Sequence, residues 1–461
     1  MDASSATTTA VVEKSLPLSE HNLSTEEVIH AYLNQHTPFP ASSVTRLSGG
    51  FANWTYRATL RDPYEFTNTR NQRKVVKSIV VKFSSDVAAA FGTVALDLYR
   101  TKAEVAAIKL VSGLDLPGMR LSKADADHDD EAGARPTVSL PELLLYDSTN
   151  HVGCYVDLGP LSTLKDYLKS HPSNPEAIQL ATDAGHSLGE FLAGLHLWGW
   201  KLLQTEHSPT STSTTPPLDV FYRNGAWQTI GVLEGVIKEF SSSSIEGEAD
   251  WEKITNVMRR EVLEVNETFN HGDFWTGNVL IEIQTPPIGS RTETRTLKAL
   301  HLLDWETAKT GSASTDIAQF AAEAFMLRQF SASPAGEALL ISFLTAYEDY
   351  IRKKGSSETM EKVKDDVGTA AKPSALSGSS DDSTTTTTTP NGMLDSRSVL
   401  ARLCTHVVTI GKMVSWADKE TTDITTRMML QVLIENDQRS TTKSLKDVLT
   451  LLGVVEQARD Q

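Results

Sequence analysis

One stretch restricts this chain more than any other. Across residues 269–320 it reads FNHGDFWTGNVLIE, then a polar link with two prolines, then LKALHLLDWETAKTGSASTDIAQF. Apolar alternation at 278–283 and 297–303, separated by the turn-rich link 284–296, predicts two strands joined as a hairpin. Such a hairpin carries His271, Asp273 and Asn278, in the loop before its first strand, toward Asp304 and Glu306 at the end of its second. An ordinary hairpin with solvated acids is the plain alternative. HGDxxxxN followed by an apolar strand ending in DxE is much more specific than any one of its parts.

Those groups suit phosphoryl transfer from a metal-bound nucleotide. Mg²⁺ prefers hard oxygen ligands and usually takes one or two carboxylates plus phosphate oxygens. Asn278, Asp304 and Glu306 are the candidate metal ligands. Asp273 is the candidate catalytic residue, expected to orient an acceptor hydroxyl and accept its proton, a role worth about 10²–10⁴ in rate. Upstream, residues 44–60 (VTRLSGGFANWTYRATL) predict two strands around a turn at Gly49 and Gly50. Glycines there let backbone N–H groups reach phosphate oxygens, although a glycine pair alone marks no more than a turn. The strand SIVVKF, residues 78–83, carries Lys82 in its interior, where a lysine needs partners. A helix over 96–111 then carries Glu104, which by itself reads as an exposed helix charge.

HGDFWTGN resembles the catalytic loop of the aminoglycoside-phosphotransferase/choline-kinase group, distant relatives of the protein kinases. DWE is similar to the metal-binding segment of that group, in the DxE form of the methylthioribose kinases. LSGGFANWTYR together with LLDWETAKTGSASTDIAQF resembles most the fungal small-molecule kinases that include the 4-hydroxytryptamine (psilocybin-pathway) kinases. The resemblance spans residues 24–350, and weakly the last helices through THVVTIGKMVSW.

The resemblance implies an α+β, bilobal protein-kinase-like fold, with a small antiparallel-sheet N-lobe and a mainly helical C-lobe. It implies an ATP-dependent phosphotransferase that uses Mg²⁺ and acts on a hydroxyl of a small molecule, such as a hydroxylated amine or secondary-metabolism intermediate. By the same resemblance Lys82 and Glu104 are the pair that holds the α/β-phosphates. Asn53 joins Gly49 and Gly50 in the loop over the nucleotide. Backbone groups of Asp157 and Leu158, in GCYVDLG, read the adenine edge at the hinge. Asp316 supports the catalytic loop, and residues 184–200 form the central helix beneath it, with His196 in a structural role. A methylthioribose-type sugar kinase and a non-catalytic nucleotide-binding pseudokinase scaffold are the alternatives. A protein kinase is disfavoured, because HRD and APE do not occur and only about a dozen residues separate Asp304 from Asp316.

The chain of 461 residues is long enough for two lobes. The expected division is a disordered tail at 1–22, a nucleotide-binding N-lobe at 23–156 and a C-lobe with the catalytic and acceptor sites at 157–350. A disordered Ser/Thr-rich insertion at 354–395 and closing C-lobe helices at 396–461 complete it. Ser24 and Glu27 suggest a capping box ahead of the first helix. Residues 122–136 read as an acidic surface insertion without the spacing of a calcium loop. With 43 Lys and Arg against 59 Asp and Glu, the formal net charge is −16, which argues against a nucleic-acid surface. Cys154 and Cys404 are the only cysteines, so neither a disulfide framework nor a zinc spacing is present. The first 19 residues lack the apolar core of a secretory signal, and runs such as 338–346 are too short to span a bilayer. A cytoplasmic monomer with no membrane or nucleic-acid partner is the expectation.

The acceptor is the least legible part. Phe274, Trp275 and Trp305 either face a flat substrate or belong to the core, with Trp305 assigned to the core. Tyr222, Arg223 and Trp227 either line the acceptor pocket or pack. An amine acceptor would call for a carboxylate, with Glu323 and Glu348 as the candidates.

Overall fold

The computed structural model describes residues 23–48, 50–68, 71–90, 92–119, 135–206, 226–241, 251–285, 295–367, 395–413, 416–438 and 443–454. The first part of the chain runs α1 (Glu26–His36), β1 (Ala41–Arg46), β2 (Trp54–Thr67), β3 (Arg73–Phe83), α2 (Tyr99–Ser112), β4 (Thr137–Ser139), β5 (Leu143–Asp147) and β6 (Val152–Val156). There follow β7 (Ser162–Thr163), α3 (Leu164–Ser170), α4 (Pro175–Glu206), α5 (Ala226–Ser241), α6 (Trp251–Glu264), β8 (Thr268–Asn270), β9 (Val279–Gln284), β10 (Thr296–Leu302) and β11 (Lys309–Gly311). The chain closes with α7 (Ser314–Ser331), α8 (Pro334–Val367), α9 (Ser396–Met413), α10 (Lys419–Gln438) and α11 (Leu445–Leu451).

The fold is bilobal and protein-kinase-like. The N-terminal lobe is a five-stranded sheet of order β1-β2-β3-β6-β5, antiparallel at every pairing. Its inward residues alternate along β2, where Tyr56, Ala58 and Leu60 are buried, as the period of a half-covered strand requires. α1 covers this face with Ile29, Tyr32 and Leu33. Tyr32 also donates a hydrogen bond to Asp147 of β5 at 2.8 Å, which ties the helix to the far edge of the sheet. The side chain that caps α1 is Thr25, one residue later than the Ser24 cap expected from the sequence. Both hydroxyls are adjacent in the chain, and only backbone direction decides between them.

The C-terminal lobe has its own, larger core of helices. Helices α4 and α8 pack closely along Gly185 and Gly189. A Cβ on Gly189 would lie 2.5 Å from the Phe343 carbonyl oxygen, so a larger residue would force the helices apart. α8 was expected to end near Lys353 and instead runs to Val367. The Glu, Lys and Met residues of 354–367 favour helix strongly enough to outweigh the flanking Gly and Ser. The rest of the expected insertion, the acidic segment at 120–134 and the N-terminal tail lie outside the described residues. The last described helix, α11, begins behind a capping box at Ser444 and Asp447.

The hairpin joins the larger core through Val279, Ile281, Leu297, Leu300 and Leu302. β9 and β10 pair antiparallel, from Val279 opposite Leu302 to Gln284 opposite Thr296. β7 flanks β9, and the short β4 runs parallel to β10. β8 and β11, also too short to be evident from periodicity, pair beside the loop that the hairpin begins from. No helix among the described residues is long and apolar enough to cross a membrane.

Candidate active site

Lys82 leaves β3 opposite Thr55 of β2 and Gly153 of β6, so sheet walls its stem on both sides. Its ammonium donates to Glu104 Oε1 at 2.8 Å and to Asp304 Oδ1 at 2.5 Å. Glu306 Oε2 lies 3.9 Å away. One cation is therefore shared by three carboxylates. Burial disfavours the charged lysine, yet Asp304, Glu104 and Glu306 together outweigh it and hold its pKa well above the ordinary value. The anions see the converse. Burial pushes the Glu104 carboxyl up to about 7, because Lys82 only partly offsets it while Asp304 and Glu306 add repulsion. A further positive charge beside Asp304 would relieve this imbalance.

The hairpin supplies the other half of the site. Asp304 follows β10 with φ 57°, a left-handed conformation that Asp tolerates better than most residues. That turn sends the neighbouring Trp305 into the core, where its indole N–H donates to the Leu302 carbonyl at 3.1 Å. Asp304 keeps its carboxyl below the usual range, since Lys82 outweighs the cost of burial.

The HGD loop is pinned from two directions. Asp316, buried in the first turn of α7, accepts the backbone N–H groups of His271 at 2.7 Å and Gly272 at 2.8 Å. His196, wholly buried on α4, sits 3.5 Å from the same carboxylate and 2.8 Å from the Tyr347 hydroxyl. Burial keeps His271 neutral at ordinary pH by lowering its pKa. Its Nε2 lies 2.8 Å from the Leu303 carbonyl and its Nδ1 3.2 Å from the Asp273 amide. The neutral ring thus donates to one and accepts from the other, and it stitches the loop to the end of β10. Gly272 has φ +85°, and a Cβ there would lie 2.1 Å from the Thr307 carbonyl oxygen. Only glycine lets the two segments approach so closely.

Asp273 comes out of this loop with both oxygens engaged. Oδ2 accepts Asn278 Nδ2 at 2.8 Å and Oδ1 accepts Gln319 Nε2 at 2.6 Å. Burial raises its pKa, against the pull of Gln319, His271 and Asn278. The Asn278 amide also donates to the Asp273 carbonyl at 3.0 Å, which turns its oxygen away from that carboxylate.

The remaining expected residues divide. Gly49 lies outside the described residues, and Gly50 sits in the loop between β1 and β2. Asn53 donates to Glu306 Oε2 at 2.7 Å and accepts from Ser84 at 2.7 Å and Arg100 at 3.1 Å. Its amide is a strut between the glycine loop and the DWE segment. Glu306, expected as a metal ligand, spends one oxygen on Asn53 and lies 3.5 Å from Arg100 Nε. The Asp157 carboxylate is held by Arg57 at 2.8 and 3.0 Å, by Ser78 at 2.8 Å and by the Gly159 amide at 2.9 Å. It locks the strand end where the chain leaves the sheet.

No group of three or more His, Cys, Asp or Glu side chains that could hold a metal occurs among the described residues. Mg²⁺ in nucleotide sites needs fewer, because phosphate and water complete its shell. Asp304 Oδ2 and Asn278 Oδ1, which take no hydrogen bond among the described residues, fit that incomplete donor set.

No family model matches the chain. It is 26% identical to the 4-hydroxytryptamine kinase of Psilocybe cubensis over 330 residues, 71% of this chain and 80% of that one. It is 27% identical to the 4-hydroxytryptamine kinase of Psilocybe cyanescens over 334 residues, 72% of this chain and 81% of that one. The chain is a small-molecule kinase. Among solved structures, a choline kinase from Cryptosporidium parvum aligns over 93% of the kinase and 97% of its own length, with 11% identity and a TM-score of 0.36.

Of the aromatic residues expected near an acceptor, Phe274 is buried against Phe320 and Phe343, and Trp305 is core. Trp275 is half-buried beside the loop. Glu323 lies on α7 one turn past Gln319. Glu348 is committed elsewhere: it accepts the Leu445 amide at 2.9 Å and pairs with Arg352, so it anchors the start of α11. Tyr222, Arg223 and the side chain of Trp227 lie outside the described residues. Two site residues escaped the sequence reading. Gln319 stands three residues after Asp316 and Arg100 four before Glu104. Each shares a helix face with a residue already singled out, and that spacing was the available signal.

Proposed function

We propose that the kinase transfers the γ-phosphoryl group of ATP to a hydroxyl of a small molecule, and that the acceptor is a hydroxylated amine of the kind named in its relatives. The observation that carries this reading is the meeting of Lys82 with Asp304, 222 positions apart in the chain and 2.5 Å apart in space. A buried lysine of the first lobe beside a carboxylate at the end of the catalytic hairpin is the arrangement that a nucleotide triphosphate tail needs.

In this reading Lys82, steadied by Glu104, neutralises the α/β-phosphates. Asn278 and Asp304 would hold Mg²⁺, which would supply charge neutralisation. Glu306 and Asn53 brace the glycine loop over them. Backbone at Asp157 and Leu158 meets the adenine. Asp273, aimed by Gln319 and Asn278, orients the acceptor hydroxyl and takes its proton as the acceptor oxygen bonds to the γ-phosphorus and the bond from that phosphorus to the bridging oxygen breaks, releasing ADP. The chemistry is largely positioning and charge neutralisation, so the fixed hydrogen bonds on Asp273 matter as much as its basicity.

The test is ATP consumption against a panel of hydroxylated aromatic amines, sugars and amino alcohols, with phosphorus NMR of the product. A hydroxylated aromatic amine is expected to be phosphorylated. Asp273→Asn is expected to lower kcat by about 10³ while Mg-ATP still binds. Wild-type turnover in that variant removes Asp273 from its role. Mg-ATP binding with no acceptor turned over returns the chain to a nucleotide-binding scaffold, and preference for a sugar moves it to the sugar kinases.

A further inference from the structure

Lys165, at the start of α3, directs its ammonium between two indole rings, 4.7 Å from the Trp275 centroid and 4.0 Å from that of Trp416. The same nitrogen lies 3.2 Å from Glu323 Oε2. Aromatic faces and a carboxylate around one ammonium are the groups by which proteins recognise alkylammonium ligands. The cluster adjoins the chemistry. Trp275 follows Asp273 by two residues. Glu323 lies one helical turn, about 6 Å, beyond Gln319, whose amide holds Asp273.

The Glu323 side chain is only 3% exposed, so it needs a cation nearby. Its two partners, Lys165 at 3.2 Å and His406 at 3.4 Å, stand farther off than the roughly 2.7–2.9 Å of a tight charge-assisted bond. The Trp416 indole N–H is buried and has no hydrogen-bond partner among the described residues. Lys169 also reaches the Trp416 ring, at 5.3 Å. The cage is thus built for a cation, held loosely by the one that fills it, and placed beside the loop that would bear the acceptor hydroxyl.

We propose that this cage is the seat for the ammonium group of the acceptor, and that Lys165 fills it until the acceptor arrives. The proposal rests on the phosphotransfer reading and names the part of the acceptor that the site recognises. An incoming ammonium replaces the Lys165 charge beside Glu323, so the charge balance of the buried cluster is preserved. The flexible lysine stem lets the displaced head move into water. A neutral acceptor offers no replacement charge and leaves Lys165 in place. Lys165 is therefore a built-in competitor that selects for amines.

The test uses binding alone, by calorimetry on the full chain without ATP. The probes are phenethylamine, which has no hydroxyl to phosphorylate, and its neutral counterpart 2-phenylethanol. The wild type is expected to prefer the amine. Lys165→Met and Lys165→Gln are each expected to bind phenethylamine about tenfold more tightly, the scale of one desolvated cation–π contact. Glu323→Gln is expected to bring the amine down to the level of the alcohol. Equal affinity of the wild type for the two probes overturns the seat, and this needs no variant. Unchanged or weaker amine binding in the Lys165 variants, with circular dichroism showing them folded, makes Lys165 a fixed structural cation. Because no nucleotide is present, failure of phosphoryl transfer leaves this outcome untouched.

Discussion

Gln319 Nε2 stands 2.6 Å from Asp273 Oδ1, so a helix 46 positions downstream sets the direction of the HGD-loop carboxylate. Asn278 holds the other oxygen at 2.8 Å. The carboxylate cannot rotate without breaking one of the two. Burial raises its pKa and the Gln319 bond opposes that rise. Gln319→Leu is therefore expected to lower kcat by about 10–100-fold and to move the acidic limb of the pH–rate profile to higher pH. Turnover of the best acceptor across pH checks both. A lowered rate with an unmoved limb would make Gln319 a packing residue.

Glu104 makes stability depend on pH in a particular direction. Its carboxyl lies at about 7 in the fold against an ordinary value of 4.5. Between those values the folded state holds more protons than the unfolded one, so stability falls as pH rises. Glu104→Gln removes this titration. The melting temperature of the wild type, relative to the variant, is expected to decline from about pH 5 to pH 7. The variant is also expected to raise the KM for ATP about tenfold, because Lys82 loses its orienting partner. A constant difference between the two melting profiles would show that Glu104 is ionised throughout.

Asp304 is expected to serve both chemistry and stability. Chelation of divalent ions is expected to abolish turnover, and added Mg²⁺ to restore it. Asp304→Asn is expected to cost about 10²–10³ in kcat. It also removes the carboxylate nearest the buried Lys82 ammonium. Lys82 holds the Asp304 carboxyl below its ordinary value, so the charge stabilises the fold near neutral pH, and the variant is expected to melt lower than the wild type in the absence of nucleotide. Equal melting of the two near neutral pH would mean that the pair adds nothing to stability.

Gly272 tests the approach of the HGD loop to the DWE segment. A Cβ there meets the Thr307 carbonyl at 2.1 Å, on a backbone with φ +85°. Gly272→Ala is expected to cost about 3 kcal/mol of stability, measured by denaturant unfolding, and to remove activity. A variant as stable as the wild type would show that the two segments can separate freely.

The hairpin was legible because alternation is a local property, and β9 and β10 lie where the apolar runs at 278–283 and 297–303 put them. Lys82 was legible for a similar reason, since a lysine inside SIVVKF violates the pattern of its own strand. β4 and β8 were not legible. Each is a three-residue strand, too short for a period to show, and exists only because β10 and β11 pass beside it. The candidate site shows the same division. The motif residues stood out one by one, yet Glu348, plausible by position in its helix, anchors the start of α11.

The sequence by itself determined the two strands, the glycine that the loop demands and the kinds of polar group brought to the hairpin, because these follow from near neighbours along the chain. Tertiary structure alone decided the partners. It set Asn53 on Glu306, Gln319 on Asp273 and the Lys165 ammonium between Trp275 and Trp416. A buried polar group must find a partner, but which one it finds depends on how the lobes and helices stack across hundreds of residues, and no local pattern carries that information.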